Sequence, residues 1–494
     1  MELQTILNNV DYKILQGDVH VTIESVAYHS GLIQQDSLFI CLEGTKRDGH
    51  DYIAQAVMKG AVAIIIQKQV GLEFVPKDMT VIQVENTRNV LPVIASQFYS
   101  HPSQSFRLVG VTGTSGKTSV SHLISSILQH SGRKVGTVGT LGDRINNTEM
   151  NAYRTTPTTP ETVDLQASFA AMRDQSVTDV IMEVSSLGLK NKRVLECQFD
   201  VGIFTNLSED HLEDQGAFDD YKESKLSLFP MCPYSILNAD DPYISEFIAA
   251  TNGCYETYGI NNKEADLVAT HIKDNENGVT FQLTHKEFQN EVYVPIKGAF
   301  TVSNTLAAIS CSLHLGLEID DIVEALKHVR RPDGRLQTIH SPEGFTVMVD
   351  HANTPEKLEK VLLNLSPIKK GNVFVVFGCG GERDRGKRAV MGEIASRWSD
   401  YVIITSDNPR SEDPSRIVAE VEEGMKAPGD YEIIEDREEA IHRALRMAEP
   451  RDIILIAGRG NEDFQEVDGS KVVFNDFDVV EKFMNQHTSP IKEG

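Results

Sequence analysis

The run Gly113-Thr114-Ser115-Gly116-Lys117-Thr118 has residue types suited to phosphate chemistry. Its glycines let backbone N–H groups close on phosphate oxygens. Lys117 reaches terminal phosphates as a cation, and the Thr118 hydroxyl is an oxygen ligand for Mg2+. The motif departs from the strict phosphate-loop pattern, because Val111 stands where that pattern places its first glycine. Glycines occur instead at Gly110 and Gly113. A structural loop that carries Gly-Lys-Thr by chance is the competing reading of this segment alone.

Two further groups of polar residues follow. Glu183 leads into Ser185-Ser186, and Thr205-Asn206 leads towards Glu209-Asp210-His211. Glu183 and His211 are candidate metal ligands, with ordinary loop residues as the plainer alternative. Tyr221–Phe229 (YKESKLSLF) carries Lys222 and Lys225. On its own this segment reads as a helix with a solvated face, and nothing in it marks either lysine as catalytic. Asn238-Ala239-Asp240-Asp241-Pro242 reads as a turn that could border a nucleotide base.

These groups need elements to position them. Arg107–Thr112 (RLVGVT) predicts a buried strand, Ser119–His130 a helix, and Gly132 its end. Strand, glycine loop, Lys-Thr and helix is the order in which a phosphate loop is presented. Val180–Val184 and Val201–Phe204 predict strands that deliver Glu183 and Thr205 at their carboxyl ends. That is where ligands bind in open α/β sheets. Apolar strand-like runs alternate with amphipathic helices along most of the chain, which predicts an α/β fold with mainly parallel sheets.

At 494 residues the chain is too long for one core and fits about three domains. Polar, Pro-containing seams at Tyr99–Gln104 and Arg330–Gly334 place domains at 1–101, 102–332 and 333–494. Lys and Arg number 47 and Asp and Glu 72, a net charge of −25. This balance repels nucleic-acid backbone and anionic membrane, so neither is expected as a partner. Any bound nucleotide needs a local cationic site inside a negative field. The cysteines at 41, 197, 232, 254, 311 and 379 include no C-x-x-C pair, which points to a reducing compartment. Met1-Glu2-Leu3-Gln4 carries no basic stretch, so no signal peptide is expected. Apolar runs such as Ala61–Ile66 are too short to span a membrane. A cytoplasmic monomer is expected.

The segments together resemble the Mur ligases, most closely the MurE branch. Its members add the third residue to UDP-N-acetylmuramoyl-L-alanyl-D-glutamate. The resemblance rests on GTSGKTS (Gly113–Ser119), TTP (Thr155–Pro157), EVSSLGL (Glu183–Leu189), FTNLSEDHLE (Phe204–Glu213), ESKLSLF (Glu223–Phe229) and NADDP (Asn238–Pro242). It continues through DGR (Asp333–Arg335), FGCGGERDRGKR (Phe377–Arg388), DNPRSEDP (Asp407–Pro414) and AGRGNEDFQ (Ala457–Gln465). It implies a UDP-binding N-terminal α/β domain, a central P-loop ATPase domain with a mainly parallel sheet, and a Rossmann-like C-terminal domain.

The resemblance also implies site residues. ATP falls to Gly113, Thr114, Ser115, Gly116, Lys117, Thr118, Ser119, Asn238, Arg335 and Asp350. Lys117, Lys225, His211 and Glu183 are the catalytic set. Mg2+ falls to Thr118, Glu183, His211 and Lys225, the last as a carbamate derived from CO2. Carbamylation turns a cation into a carboxylate-like anion, the hard oxygen donor that Mg2+ prefers. The UDP precursor falls to Ser30, Thr45, Lys46, Arg47, Thr155, Thr156, Ser185, Asn191 and Arg193. The incoming amino acid falls to Arg383, Asp407, Asn408, Pro409, Arg410, Gly458 and Glu462. The DNPR form resembles enzymes selecting meso-diaminopimelate, since Arg410 can grip a distal carboxylate. Glu462 suits the distal ammonium.

The chain departs from the family pattern at several positions. Asp-Ser-Arg near the uridine site is His29-Ser30-Gly31 here, and EVSSHGL has Leu187. Asp-Tyr-Ala-His-Thr-Pro is Asp350-His351-Ala352-Asn353-Thr354-Pro355, and Gly-Lys-Gly-His-Glu is Gly458-Arg459-Gly460-Asn461-Glu462. Thr301 replaces an Asn, although Asn304 remains. This predicts retained phosphoryl chemistry with altered substrate-side detail, as in a divergent second copy. The rival readings are a ligase adding L-lysine or using a related acceptor, a folylpolyglutamate or cyanophycin-type ligase, and a nucleotide-binding protein without turnover. Asp36–His50 (DSLFICLEGTKRDGH) resembles the UDP-precursor domain, which folate ligases lack.

Overall fold

The computed structural model describes residues 1–494 apart from 45–47, 151–155, 157, 209–217, 276, 287, 331–336, 366–368, 427–430, 461 and 488–494. It divides into two compact units, one formed by Met1–Ser208 and Gln215–Val329 and one that includes Arg330–Gly494.

The first unit holds two sheets. A five-stranded sheet runs in the order Lys13–Gln16, Thr80–Gln83, Ala61–Ile66, Ser37–Ile40, Ser25–Ala27. Only its first pair is antiparallel. The other sheet has eleven strands. Its parallel centre places Arg107–Thr112 between Val201–Phe204 and Asp179–Glu183. Val135–Gly139 lies beyond one neighbour and Tyr234–Asn238 beyond the other. Antiparallel strands close both ends of this sheet. The central strands are continuous apolar runs because both of their faces are buried.

The strand Arg107–Thr112 and the helix Lys117–His130 frame the glycine loop as the sequence predicts. The helix buries Val120, Leu123, Ile124, Ile127 and Leu128, a helical spacing that forms one apolar stripe. It ends at Gly132, whose φ is 81°. There Arg133 N donates to Leu128 O and Gly132 N to Gln129 O, the paired bonds that let a left-handed glycine close a helix. The two sheets of this unit are tied by Tyr28 Oη donating to Asp164 Oδ2 at 2.6 Å and Arg88 pairing with Glu161 at 2.8 Å.

The second unit has a six-stranded sheet in the order Gln337–His340, Thr346–Asp350, Ile453–Ala457, Val373–Phe377, Tyr401–Ile404, Tyr431–Ile433. All but the first pair are parallel. A hairpin of Phe464–Val467 and Ser470–Val473 stands apart from it. Among the described residues no helix is long and apolar enough to cross a membrane.

Arg437 and Asp476 are both fully buried and form a two-armed ion pair at 2.7 and 2.8 Å. Arg437 also donates to Ala457 O at 3.0 Å, holding the end of the strand that leads to Gly458. Removing one partner of such a pair leaves an uncompensated buried charge. Asp476→Ala is expected to lower the opening free energy of the Ile453–Ala457 amides by about 3–5 kcal/mol, read by native-state hydrogen exchange. Unchanged exchange there would show that the pair does not hold the strand.

Candidate active site

The glycine loop is held by the strand beside it. Thr205 Oγ1 donates to Ser115 O at 2.6 Å, and Asn206 exchanges two bonds with Ser115 through its side-chain amide. Thr114 N donates to Asn206 O at 2.8 Å. Gly113 has φ 152°, and a Cβ there would lie 1.9 Å from Thr205 Oγ1, so only glycine fits. Gly116 has φ 89° and faces Asn304 Oδ1. Ser119 lies in the first turn of the following helix. Asn238 ends its strand and donates to Thr205 O at 2.7 Å.

Glu183 is 3% exposed and ends the strand on the other side. It accepts from Thr118 Oγ1 at 3.0 Å, from Thr140 N at 2.9 Å and from Thr140 Oγ1 at 3.0 Å. A Cβ at Gly139 would meet Glu183 Oε1 at 2.3 Å, so that glycine makes room for the carboxylate. The Thr118 hydroxyl and Glu183 are hard oxygen donors, the chemistry that suits Mg2+. Among the described residues there is no cluster of three or more His, Cys, Asp or Glu able to hold a metal.

Lys117 and Lys225 converge. Lys117 Nζ donates to Gly113 O at 2.7 Å, and Lys225 Nζ donates to the same oxygen at 2.9 Å. Lys225 is 1% exposed and lies 4.3 Å from the centre of the Tyr221 ring. Burial, with the like charge of Lys117 adding to it, holds Lys225 well below the ordinary lysine range. The solvated helix face expected for this segment holds only loosely. Lys222 makes ion pairs with Glu246 and Asp219, whereas Lys225 points inward. The helix spans Phe218–Leu226, earlier than the sequence predicts.

On the expected acceptor side, Ser185 caps a short helix by accepting from Gly188 N, and Asn191 follows that helix. Thr156 Oγ1 donates to Thr159 O at 2.9 Å. The Arg193 guanidinium is 7% exposed and belongs to the framework. It donates to Thr159 O at 3.1 Å and pairs with Glu161 at 3.5 Å. Ser30 opens a single 3-10 turn, and its carbonyl accepts from Lys59 Nζ. Thr45, Lys46, Arg47, Thr155, His211 and Arg335 lie outside the described residues.

The second unit gathers a polar cluster at the carboxyl ends of its strands. Asp350 O accepts from Gly458 N at 3.1 Å. Asp407 Oδ2 lies where a Cβ on Gly458 would meet it, at 2.7 Å. Asn408 Nδ2 donates to Glu462 Oε2 at 2.8 Å. Burial raises the Glu462 carboxyl, and nearby Asp407 pushes the same way. Pro409 leads into Arg410, which has φ 54°, donates to Gly381 O and pairs with Glu466 at 3.3 Å. Arg383 and Arg410 both border Gly380. Two cationic arms and two carboxylates in one cluster fit a zwitterion with a further acid group.

Sequence reasoning missed Thr140, Thr205 and Asn206 as the residues that fix Glu183 and the loop. Thr205 and Asn206 stood at a strand end inside a family motif, but no bonding role was read for them. Arg459 was read only as a departure from pattern, yet it is fully buried.

Three family profiles match in order: "Mur ligase family, catalytic domain" over 22–99, "Mur ligase middle domain" over 111–312, and "Mur ligase, glutamate ligase domain" over 334–460. A UDP-N-acetylmuramoyl-L-alanyl-D-glutamate--2,6-diaminopimelate ligase 2 of Clostridium acetobutylicum is 39% identical over 98% of this chain and 100% of its own. A ligase with the same substrates in its name, from Alkaliphilus metalliredigens, is 42% identical over 98% of both chains. A solved UDP-N-acetylmuramoyl-L-alanyl-D-glutamate--2,6-diaminopimelate ligase structure superposes with TM-score 0.67 at 28% identity. It covers 99% of this chain and all of that one. Likeness of this degree, carried along nearly the whole length, places the chain in the Mur ligase family.

Proposed function

We propose that the protein is an ATP-dependent ligase joining meso-diaminopimelate to UDP-N-acetylmuramoyl-L-alanyl-D-glutamate, in the cytoplasm and as a monomer. Its domains are taken as 1–101 for the precursor, 102–332 for ATP and 333–494 for the amino acid. One observation carries the reading: two lysines meet on the carbonyl of Gly113, beside a Thr118–Glu183 oxygen pair. The names of the relatives point the same way.

In this reading the γ-phosphoryl group of ATP passes to the free carboxylate of the D-glutamyl residue, giving an acyl phosphate and ADP. The amino group of the incoming amino acid then attacks the acyl carbon. The resulting tetrahedral intermediate expels phosphate, and a proton is released as the amide forms. Lys117 and the loop N–H groups hold the negative charge of the phosphoryl oxygens where it accumulates. Asn238, at its strand end, borders the nucleotide. Thr118 and Glu183, with His211, would hold Mg2+, which would neutralise further charge on the phosphates.

Lys225 would carry a carbamate. The neutral amine is the form that attacks CO2, and it sheds a proton as the N–C bond forms. Burial beside Lys117 favours that neutral form. Carbamylation also exchanges a repulsive cation for an anion next to Lys117.

Purified protein is expected to release ADP and phosphate only when precursor and amino acid are both present. Steady ADP release without them would make it a plain ATPase. In CO2-depleted buffer wild-type activity is expected to fall and bicarbonate to restore it. Lys225→Ala should lose about a thousandfold in kcat and gain nothing from bicarbonate. Because the Lys225 pKa is lowered, the amine stays neutral below the usual lysine range and is reprotonated only as pH falls further. Carbamylation, and with it activity, should therefore decline towards acid pH. A Lys225→Ala enzyme with full activity would remove the carbamate. Arg410→Ala is expected to raise KM for diaminopimelate at least tenfold, about what one charge-assisted contact supplies, and to erase its preference over L-lysine. Equal use of both amino acids before and after would defeat the pocket assignment.

A further inference from the structure

Arg459 is the largest polar side chain in the second unit's cluster that faces no solvent. It is 0% exposed, and its ion pair with Glu462 is a long one. Its Nη1 donates to Asn408 Oδ1 at 2.9 Å and stands 3.8 Å from Glu462 Oε2. Its Nη2 donates to Phe464 O at 2.6 Å and to Phe474 O at 3.3 Å, the carbonyls that bracket the Phe464–Val473 hairpin. The guanidinium carbon lies 5.5 Å from the Phe474 ring centre. One planar fork thus touches the Asp407–Arg410 loop and both ends of the hairpin. The lysine of the family pattern has its donors on one nitrogen and cannot make these bonds at once, so this set of contacts depends on the arginine that this chain carries.

The consequence falls on Asn408. Its Oδ1 receives Arg459 Nη1 and also Glu466 N at 2.8 Å. Turning the amide over would set its NH2 against two donors, so the orientation is fixed and Nδ2 must face Glu462. The hairpin that Arg459 holds also shapes Arg410. Glu466 O accepts from Arg410 N at 3.0 Å, and Asp468 N donates to Arg410 O at 2.8 Å. These bonds keep Arg410 at a positive φ that a non-glycine residue adopts only under constraint.

We propose that Arg459 is the positioning residue that sets amino-acid specificity. It locks the Asn408 amide towards Glu462 and docks the hairpin that presents Arg410, so the ammonium-facing and carboxylate-facing arms of the pocket keep a fixed separation. This rests on the reading above that the cluster receives the incoming amino acid. Arg459 itself need not touch that amino acid.

The test is Arg459→Lys in the full-length enzyme, which keeps the charge and removes the fork. KM for diaminopimelate should rise about tenfold, with kcat within about twofold and KM for ATP and for the UDP precursor unchanged. The preference for diaminopimelate over L-lysine should fall by a similar factor. Since Arg459 acts in part through Asn408, Arg459→Lys should raise KM for diaminopimelate by a smaller factor in an Asn408→Asp background than in the wild type. Should the lysine variant melt below the assay temperature, Arg459→Gln is read the same way. A variant in which the KM values of all three substrates rise together, one in which none changes, or fully additive effects with Asn408→Asp would overturn the proposal. Wild-type enzyme that ligates no amino acid to the precursor would instead overturn the assignment of the pocket.

Discussion

Two lysine amino groups share one carbonyl oxygen, and that convergence sets the chemistry around Gly113. Like charges this close repel, and burial strips Lys225 of the water that would otherwise screen the repulsion. The carbonyl offers partial compensation by accepting from both amino groups, and the Tyr221 ring adds a π face to Lys225. Further compensation is available from bound anions. Polyphosphate, a carbamate, or both would supply it. A chain with a net charge of −25 that builds so concentrated a positive point has spent stability to attract anions there.

The sheet explains why this point has the neighbours it does. The loop strand lies at the centre of the parallel run, so the strands on either side end level with it: Glu183 pairs in register with Val111, and Phe204 with Thr112. One flank therefore delivers a carboxylate and the other a threonine–asparagine clamp. The side chains needed for chemistry leave no space for side chains opposite, which is why Gly139 and Gly113 face Glu183 and Thr205. Moving the register by one residue would turn Glu183 to the other face of the sheet.

How much of this was legible in the sequence depended on distance along the chain. The loop, its strand and its helix are contiguous, and apolar periodicity together with Gly132 marked them correctly. The buried Lys225 was not legible from its own segment. An amphipathic helix with lysines at 222 and 225 does not declare which lysine turns inward, and family resemblance alone singled out Lys225. Its spacing of one helical turn from buried Tyr221 was the available signal. Thr140, which holds Glu183, and Asp476, which balances Arg437, were invisible because each partner lies some forty residues away. No local pattern encodes such a pairing.

The positions that depart from the family pattern bear on what kind of divergence this is. A site released from function accumulates polar residues without partners, because nothing penalises them. Here His29 Nδ1 accepts from Gly31 N and so caps the turn at Ser30, the task an aspartate performs at a helix start. His351 Nδ1 bonds Arg459 O at 3.0 Å, and Asn353 Nδ2 reaches His351 Nε2 at 3.3 Å. Asn353 also takes bonds from Lys357 and Lys387. Arg459 has its fork engaged on three sides. Leu187, 42% exposed, is a substitution for which nothing in the structure supplies a reason. His351, Asn353 and Arg459 are linked in one hydrogen-bonded chain that reaches Asn408 and stops 3.8 Å short of Glu462. Polar networks of that kind are costly when half satisfied, so the bonds these replacements make, with the buried Arg459 Nε lacking a partner among the described residues, argue for a pocket reshaped rather than abandoned.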